Sequence, residues 1–347
     1  MGIIYKEIHD TFNALQKTAD YLDKKWDEVV NFLKGKERFV FMGAGSSYSV
    51  AKSMATICSM TSGKPSYAVA AGDFLLHAER YGKIFNNAAI VFATRSGRTS
   101  ELLMALDEMK SKNLNIAGIV SFVCADGTPI EAKSNLTLST PWAFDESVCQ
   151  TRTVTNFYFM AAYVAAKLSD AGEQPPVNEL RNMLLAGPEY IKKIEPLAKD
   201  LSEMDWTHAV VLADAEMEGI AEEGSLVFKE VCQLPSNYYH MLDVRHGPMV
   251  LLGKDSLVLT ALGDANELER SLLRDLRKKG ATIAAFSDIE IDLDDIISVS
   301  YGSPLSHISK GIPFIILCQL IAYYKSMKTG ADPDKPTGLE PWIALGN

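Results

Sequence analysis

The sequence predicts an α/β protein with two parallel sheets, each flanked by helices. Apolar runs of strand length alternate with segments of helical periodicity along most of the chain. The same order of elements occurs twice, before and after a polar stretch at residues 169–176. Strands that alternate with helices at this interval form βαβ units, which build parallel sheets with helices on both faces.

The first half begins with helical periodicity over residues 5–34, ending at Gly35. Strands are predicted at 38–42, 67–70, 88–93, 116–122 and 136–140. Helices are predicted from the first strand to about residue 60, and over 74–80, 99–112 and 150–168.

The second half repeats this order after the polar linker and a helical connector over 178–201. Strands are predicted at 209–213, 255–262, 282–285 and 296–298, and helices at 217–232, 265–279 and 312–328. We therefore predict a first domain at residues 1–175, a second at 176–330 and a carboxy-terminal tail at 331–347.

The charge balance argues against a nucleic-acid partner. The 347 residues are 47% hydrophobic and carry a formal net charge of −10, which fits two domains with sizeable cores. Binding to nucleic acid or to an anionic membrane needs a basic face, which this balance disfavours. An anionic small molecule is compatible with it, because a local cluster of donors can outweigh the mean field.

Cysteine usage and the amino terminus predict a cytoplasmic protein. The five cysteines are scattered without a Cys-x-x-Cys pair, which favours reduced thiols over disulfides or a zinc site. Residues 1–8 lack the features of a signal peptide, and the apolar segment 312–324 is short for a membrane span. The six histidines show no metal-ligand spacing, and no cofactor is indicated.

Residues 93–101 carry the most specific signal for a ligand. They read as a hydroxyl-rich loop between a strand and a helix, with Thr94, Ser96 and Thr99 as donors and Gly97 to allow close approach. Hydroxyls, free N–H groups and the positive end of a helix dipole suit a phosphate ester. The alternative is an ordinary strand-to-helix turn with an N-cap hydroxyl, and the spacing alone leaves both open.

The corresponding loop of the second half, residues 261–267, is acidic and poor in hydroxyls. It should not hold phosphate. The two halves therefore predict an unequal duplication, in which one half binds and the other serves as a scaffold and contributes groups from elsewhere.

Several segments occur in the order in which one known family has them. They are Gly43-Ala-Gly-Ser-Ser-Tyr48, Thr94-Arg-Ser-Gly-Arg-Thr99, Glu146-Ser-Val-Cys-Gln-Thr-Arg152, Glu223-Gly-Ser-Leu-Val-Phe-Lys-Glu230, Arg245-His-Gly-Pro248 and Asp334-Lys-Pro336. Together they resemble the sugar isomerase (SIS) family, near the isomerase part of glucosamine-6-phosphate synthase and the fructosamine-6-phosphate deglycases. The resemblance implies two tandem SIS domains, each a flavodoxin-like three-layer sandwich.

The resemblance implies a substrate role for the first-half motifs. Ser46 and Ser47 match positions that line the sugar site, and Thr94, Ser96 and Thr99 match the hydroxyls of the phosphate loop. These positions predict a phosphorylated sugar as the ligand.

Further substrate contacts follow from the same resemblance. Arg95 stands where the synthase has a glutamine and could contact phosphate or a substrate carboxylate; the alternative is a surface salt bridge. Val148, Cys149 and Gln150 fall where the family closes the sugar pocket, and Gln150 replaces a serine there.

Glu230 and His246 are the candidate acid and base. By itself, an acid on a helix is usually solvated and a lone loop histidine is usually structural. Their separation of sixteen residues matches the glutamate and histidine of the family. A carboxylate suits proton transfer between C1 and C2 of a sugar, and a histidine suits opening of its ring. Partial burial would raise the pKa of the glutamate toward the working range.

Departures from the synthase pattern disfavour glucosamine synthesis. The tail reads Leu339-Glu-Pro341 where the synthase has Leu-Ala-Lys, and Val227 replaces a lysine. The start, Met1-Gly-Ile, offers no amino-terminal cysteine nucleophile and hence predicts no glutaminase domain.

These observations predict a deglycase that cleaves 6-phosphorylated fructosamines to glucose 6-phosphate and a free amine or amino acid. Aldose–ketose isomerisation, or amino-sugar isomerisation with deamination, uses the same base and stays open. A phosphosugar-sensing module is the third alternative, although a basic helix-turn-helix segment is lacking. The resemblance also implies a homodimer in which the histidine enters the pocket of the other subunit.

Overall fold

The computed structural model describes residues 2–168 and 175–340 and contains two parallel five-stranded sheets, as the sequence predicts. We name the two structural units after these sheets. The first unit comprises Asp10–Glu146 and Arg152–Arg181, and the second comprises Met1–His9, Ser147–Thr151 and Asn182–Leu339. The units interleave along the chain, and the predicted domain limits at residues 175 and 330 stay a prediction.

The first sheet has the strand order β2-β1-β3-β4-β5. Its strands are β1 (Phe39–Gly43), β2 (Ser66–Ala70), β3 (Ala88–Thr94), β4 (Ile116–Val123) and β5 (Leu136–Ser139). The helices of this part of the chain are α1 (Ile3–Lys24), α2 (Trp26–Leu33), α3 (Ser46–Ser62), α4 (Ala71–Phe85), α5 (Ser100–Ser111) and α6 (Arg152–Leu168).

The second sheet repeats this order as β7-β6-β8-β9-β10. Its strands are β6 (His208–Leu212), β7 (Ser236–Tyr239), β8 (Ser256–Ala261), β9 (Thr282–Ser287) and β10 (Ile297–Ser300). The helices are α7 (Pro175–Glu203), α8 (Glu218–Val231), α9 (Glu267–Lys278) and α10 (His307–Thr329).

The central strands explain why the sequence forms parallel sheets. Every residue of β1, β3 and β8 is buried, which requires cover on both faces of each sheet. In the first unit, Val40 and Phe92 pack with Phe74 of α4 and Leu102 of α5 in one core cluster. A second cluster joins the strands of the other sheet to leucines of α9.

Four elements differ from the sequence prediction. The helical stretch predicted over residues 5–34 forms two helices, α1 and α2, which are separated at Lys25. Strand β7 was not predicted, because its four residues, Ser-Asn-Tyr-Tyr, are too short and too polar to show strand periodicity at a sheet edge. Helix α10 begins at His307, upstream of Pro313, and α4 extends beyond the predicted residues 74–80. Most of the predicted linker lies outside the described residues, but Pro175 and Pro176 begin α7, a position that suits proline.

The strand order determines where a ligand can bind. The chain leaves β1 toward β2 on one side and later places β3 on the other side, so the connections diverge between β1 and β3. In parallel sheets of this order, ligands bind beside the carboxyl ends of the strands at that point. The loops after Gly43 and Thr94 leave the sheet there.

Two further properties of the described residues concern membrane spanning and the cysteines. None of the described helices combines the length and the hydrophobicity needed to span a membrane. All five cysteines are free thiols, and four of them are buried. Burial raises the pKa of Cys124 and of Cys232 to about 12, so these thiols stay protonated at neutral pH.

Candidate functional site

The turn from β1 into α3 is built around glycine. A Cβ on Gly43 would lie 2.3 Å from the carbonyl oxygen of Ser47, so a side chain does not fit there. Gly45 adopts φ +55° and stands at the N-cap of α3, where no side chain caps the helix. Ser46 and Ser47 begin the helix and are buried.

The loop after β3 arranges the predicted hydroxyls around its own backbone. The Oγ1 atoms of Thr94 and Thr99 lie 3.2 Å apart, and Thr94 Oγ1 also accepts the N–H of Gly97 at 3.2 Å. Ser96 Oγ accepts the N–H of Arg98 at 3.2 Å. Thr99 stands at the N-cap of α5, but its hydroxyl makes no cap hydrogen bond.

These two loops therefore present the same features at one edge of the first sheet. Strands β1 and β3 are paired neighbours, and each is followed by a helix whose N-terminus has no side-chain cap. The positive ends of two helix dipoles and a set of hydroxyls suit an anion such as a phosphate ester. Of the predicted residues, the structure brings Ser46, Ser47, Thr94, Ser96 and Thr99 to this edge.

Arg95 belongs to the interior of the first unit. Its side chain is buried, and Nη1 donates to the carbonyl oxygen of Asp145 at 3.2 Å. The guanidinium also lies 5.8 Å from the ring centroid of Phe144. The alternative of a surface salt bridge is wrong, because the side chain is not at the surface. The Asp145 carboxylate in turn accepts the N–H of Thr153 at 2.9 Å, which anchors this contact to the start of α6.

The other candidates belong to the second unit. Val148 donates its N–H to the carbonyl oxygen of Asp334 at 3.2 Å. The Oε1 atom of Gln150 is buried and has no hydrogen-bond partner among the described residues. A buried acceptor without a donor is costly, so this atom is suited to a hydroxyl or an amine of a ligand.

Glu230 and His246 lie on different elements of the second unit. Glu230 is the penultimate residue of α8 and is half-buried. His246 follows a short 3₁₀ helix, Leu242–Arg245, and its side chain is exposed. The main-chain N–H of His246 donates to the carbonyl oxygen of Asp243 at 2.8 Å, and the next residue, Gly247, has φ +125° and turns the chain. Their roles stay predictions.

The corresponding edge of the second sheet is filled by the protein itself. Glu269 accepts the N–H of Gly263 through Oε1 at 2.6 Å and the N–H of Asn266 through Oε2 at 3.0 Å. Asn266 completes a capping box at the start of α9, and Lys310 donates to the carbonyl of Gly263. A carboxylate therefore occupies the N–H groups that an anion would use, which agrees with the predicted inability of this loop to hold phosphate.

The cavity beside the first sheet does not belong to the candidate site. Its volume is about 820 Å³, but apolar side chains, including those of α2, α3 and α6, dominate its lining and none of the candidate residues contacts it. Within the described ranges, no group of three His, Cys, Asp or Glu residues is arranged to hold a metal ion.

Sequence reasoning missed three residues that support these loops. Thr128 packs against Gly97, and Glu7 and Asp334 contact the segment that carries Val148. Each lies thirty or more positions from its partner along the chain. Only Asp334 stood within a motif that could have drawn attention to it.

Comparison with known proteins agrees with the predicted fold and family resemblance. Residues 32–166 match the model of the SIS domain. A glutamine–fructose-6-phosphate aminotransferase (isomerizing) from Pyrobaculum aerophilum is 28% identical over 354 residues, which cover 98% of this chain but 57% of that protein. The chain thus spans little more than half the length of this curated relative.

Solved structures share the architecture at low sequence identity. Tagatose-6-phosphate ketose/aldose isomerase from Escherichia coli aligns with a TM-score of 0.85 and 18% identity, covering 100% of this chain and 96% of the other. Glucosamine-6-phosphate deaminase from Thermotoga maritima aligns with a TM-score of 0.78 and 24% identity, covering 99% and 100%. The predicted family resemblance and the predicted fold are confirmed.

Proposed function

Since residues 32–166 of this chain match the model of the SIS domain, we propose that the protein is an enzyme that acts on phosphorylated sugars. The observation that carries the proposal is the edge of the first sheet between β1 and β3. Two uncapped helix N-termini and the hydroxyls of Ser47, Thr94 and Thr99 meet the needs of a phosphate group there. The names of the similar proteins, which refer to hexose 6-phosphates and amino-sugar phosphates, support the same substrate class.

We further propose that the substrate is a 6-phosphorylated fructosamine. Glu230 takes the proton from C1 of the open-chain ketosamine, the electrons of that C–H bond form the C1=C2 bond of a 1,2-enaminol, and the C2 carbonyl oxygen takes up a proton. Return of the first proton to C2, with loss of the proton on nitrogen, gives an imine at C1. Water then adds to C1, and the C–N bond breaks to release glucose 6-phosphate and the free amine. His246 assists the ring opening that precedes these steps.

Two residues favour this reaction over glucosamine synthesis. Val227, where the synthase has a lysine, is buried and apolar, so no cation is supplied from that position. Arg95, within the loop at Thr94–Thr99, instead supplies a buried guanidinium, one of whose N–H groups is bound to the carbonyl oxygen of Asp145. A guanidinium can bind a carboxylate in bidentate fashion, which suits an amino-acid substituent on the sugar.

We also propose a homodimer in which His246 acts in the site of the partner subunit. The side chains around this histidine support an interface, because Leu242, Val250 and Leu251 are exposed although they are apolar. Exposed apolar side chains of this kind are more common at protein–protein contacts than on free surfaces. The cytoplasmic location is likewise a proposal that rests on the cysteine usage of the chain.

Isomerisation of a phosphosugar, with or without deamination, is the second candidate function. The same Glu230 would serve it, and two solved structures of similar fold are named for such activities. Sensing of a phosphosugar without turnover is the third.

A coupled assay separates these functions. The protein is incubated with fructosamine 6-phosphates of several amines and amino acids, and glucose 6-phosphate is followed with its dehydrogenase. Fructose 6-phosphate and glucosamine 6-phosphate are offered in parallel, with analysis of the products. Release of glucose 6-phosphate from a fructosamine supports the deglycase, while turnover of the other two sugars alone would replace it with the isomerase. If nothing turns over but a phosphosugar binds, the sensing function remains.

The Glu230→Gln variant provides the control for these assays. In an enzyme it should abolish turnover while binding is retained, since the amide cannot carry the proton. In a sensor neither form of the protein turns over.

A further inference from the structure

The segment Ser147–Thr151, which carries Val148 and Gln150, is held by a buried carboxylate from the first turns of α1. The side chain of Glu7 is 3% exposed. Its Oε1 accepts the N–H of Ser147 at 3.3 Å, and its Oε2 accepts the Ser147 hydroxyl. The same hydroxyl oxygen lies 2.8 Å from the carbonyl oxygen of Cys149, so Ser147 connects Glu7 to the middle of the segment.

A second acidic residue holds the same segment through its main chain. The carbonyl oxygen of Asp334 accepts the N–H of Val148 at 3.2 Å. The carboxylate of Asp334 accepts the N–H groups of Ile3 at 2.9 Å and of Ile4 at 2.8 Å. Asp334 therefore caps the N-terminus of α1, the helix that carries Glu7 one turn later.

These contacts close into one network inside the second unit. Glu7 fixes Ser147, Asp334 fixes Val148, and Asp334 also fixes the helix turn that precedes Glu7. Gln319 adds a third tie, because its Nε2 donates to the carbonyl oxygen of Thr151 at 3.1 Å. The segment is thus restrained at its start, its second residue and its end, and Gln150 lies between the restraints.

These restraints matter most for the position of the Gln150 side chain. Its Oε1 is buried and lacks a donor among the described residues. A side-chain acceptor that binds a ligand must be preorganised, because small displacements of a contacting group strongly weaken binding and turnover.

We propose that Glu7 and Asp334 are positioning residues for substrate recognition, which set the main chain of Val148 and the amide of Gln150 without touching the substrate. The inference rests on the proposed function, in which that segment contacts the sugar. It predicts that weakening the network impairs recognition of the sugar and spares recognition of the phosphate.

The test compares two ligands on the same variants by titration calorimetry. Glu7→Gln keeps one acceptor but places an amide NH₂ against a donor, and Ser147→Ala removes the hydroxyl from the other side of the bond. Each variant should bind fructose 6-phosphate about tenfold or more weakly than the wild type. Affinity for inorganic phosphate should change by less than about twofold. The double variant should lose no more than the stronger single variant, because both break the same contact.

Glu28→Gln, at an exposed position on α2, serves as the matched control and should alter neither affinity. Thermal unfolding of each variant confirms that the protein is folded at the temperature of the titration. An equal loss for both ligands, or no loss for fructose 6-phosphate, overturns the positioning role. If the wild type itself fails to bind any phosphosugar, the proposed function falls, and this inference falls with it.

Discussion

Gly97 lies directly against Thr128. A Cβ on Gly97 would be 2.4 Å from the Oγ1 atom of Thr128 and 2.5 Å from its Cβ, distances at which one of the two residues must move. Gly97 also has φ +63°, which a residue with a side chain adopts only with strain. Thr128 cannot yield easily, since its hydroxyl and its N–H both donate to Glu131.

We therefore expect Gly97→Ala to damage both stability and phosphosugar binding. Gly127 provides a matched control, because it has φ +64° but open space around it. Gly127→Ala should cost only the strain of the left-handed conformation, about 1 kcal/mol of the free energy of unfolding. Gly97→Ala should cost roughly 1–3 kcal/mol more, from overpacking, and weaken phosphosugar binding. Urea unfolding and calorimetry measure the two effects; equal behaviour of the variants would contradict the steric argument.

The hydroxyl of Thr99 offers a separate test of the phosphate loop. It makes no cap hydrogen bond, and its contact with Thr94 Oγ1 is long at 3.2 Å, so Thr99→Val should change the free energy of unfolding by no more than about 1 kcal/mol. If the hydroxyl donates to phosphate, the variant should bind inorganic phosphate at least about tenfold more weakly. Titration of both proteins with phosphate measures this, and unchanged affinity would remove Thr99 from the site.

Thr260 is the control for that substitution. It is fully buried in β8, and its hydroxyl has no hydrogen-bond partner among the described residues. Thr260→Val should leave phosphate affinity unchanged and stabilise the protein by about 1 kcal/mol, because a buried hydroxyl without a partner is costly. A loss of stability would mean that the hydroxyl is satisfied.

The buried central strands could be predicted from the sequence, because their local residue pattern determines them. Strands β1, β3 and β8 are continuous apolar runs because both faces of the sheet are covered, and each was predicted within two residues at either end. Strand β7 is an edge strand with one buried residue, so its pairing with β6 depends on the sheet and not on its own periodicity.

In the candidate site, too, features that are contiguous in sequence could be predicted, and contacts between distant residues could not. The loop at Thr94–Thr99 was visible because its donors are contiguous in sequence. The way Glu269 fills the second loop and the way Glu7 holds Ser147 were not, since they depend on side-chain geometry and on partners far apart in the chain. A positioning residue such as Glu7, which acts through a distant partner, is not marked by a local sequence motif.

Sharing of sites between subunits can be tested by complementation. Glu230→Gln and His246→Ala should each be inactive alone. If His246 acts in the site of the partner subunit, a mixed dimer of the two variants contains one site with both native residues. The isolated mixed dimer should then show about half of wild-type turnover, because one of its two sites is native. Co-expression with two affinity tags isolates the mixed dimer, and its complete inactivity would place both residues in the site of one subunit.

The cluster around Glu195 predicts how stability depends on pH. The carboxylate of Glu195 accepts the hydroxyl of Tyr324 at 2.6 Å and that of Tyr5 at 2.9 Å, and the Nε2 of His9 lies 3.2 Å away. Burial acts to raise the pKa of Glu195, but the two hydroxyls and His9 outweigh it, so the pKa is lowered from 4.5.

A lowered folded-state pKa stabilises the protein above the pKa of the unfolded chain, and this contribution is lost as the pH falls through the folded-state value. Glu195→Gln should therefore reduce the free energy of unfolding at pH 7 by on the order of 1–2 kcal/mol. The difference from the wild type should shrink steadily below about pH 4.5. Glu189→Gln, at an exposed position on the same helix, should change it by less than about 0.5 kcal/mol at either pH. Urea unfolding between pH 3.5 and pH 7 measures these differences, and a gap that stays constant or widens in acid would show that the Glu195 carboxylate is not stabilised in the folded state.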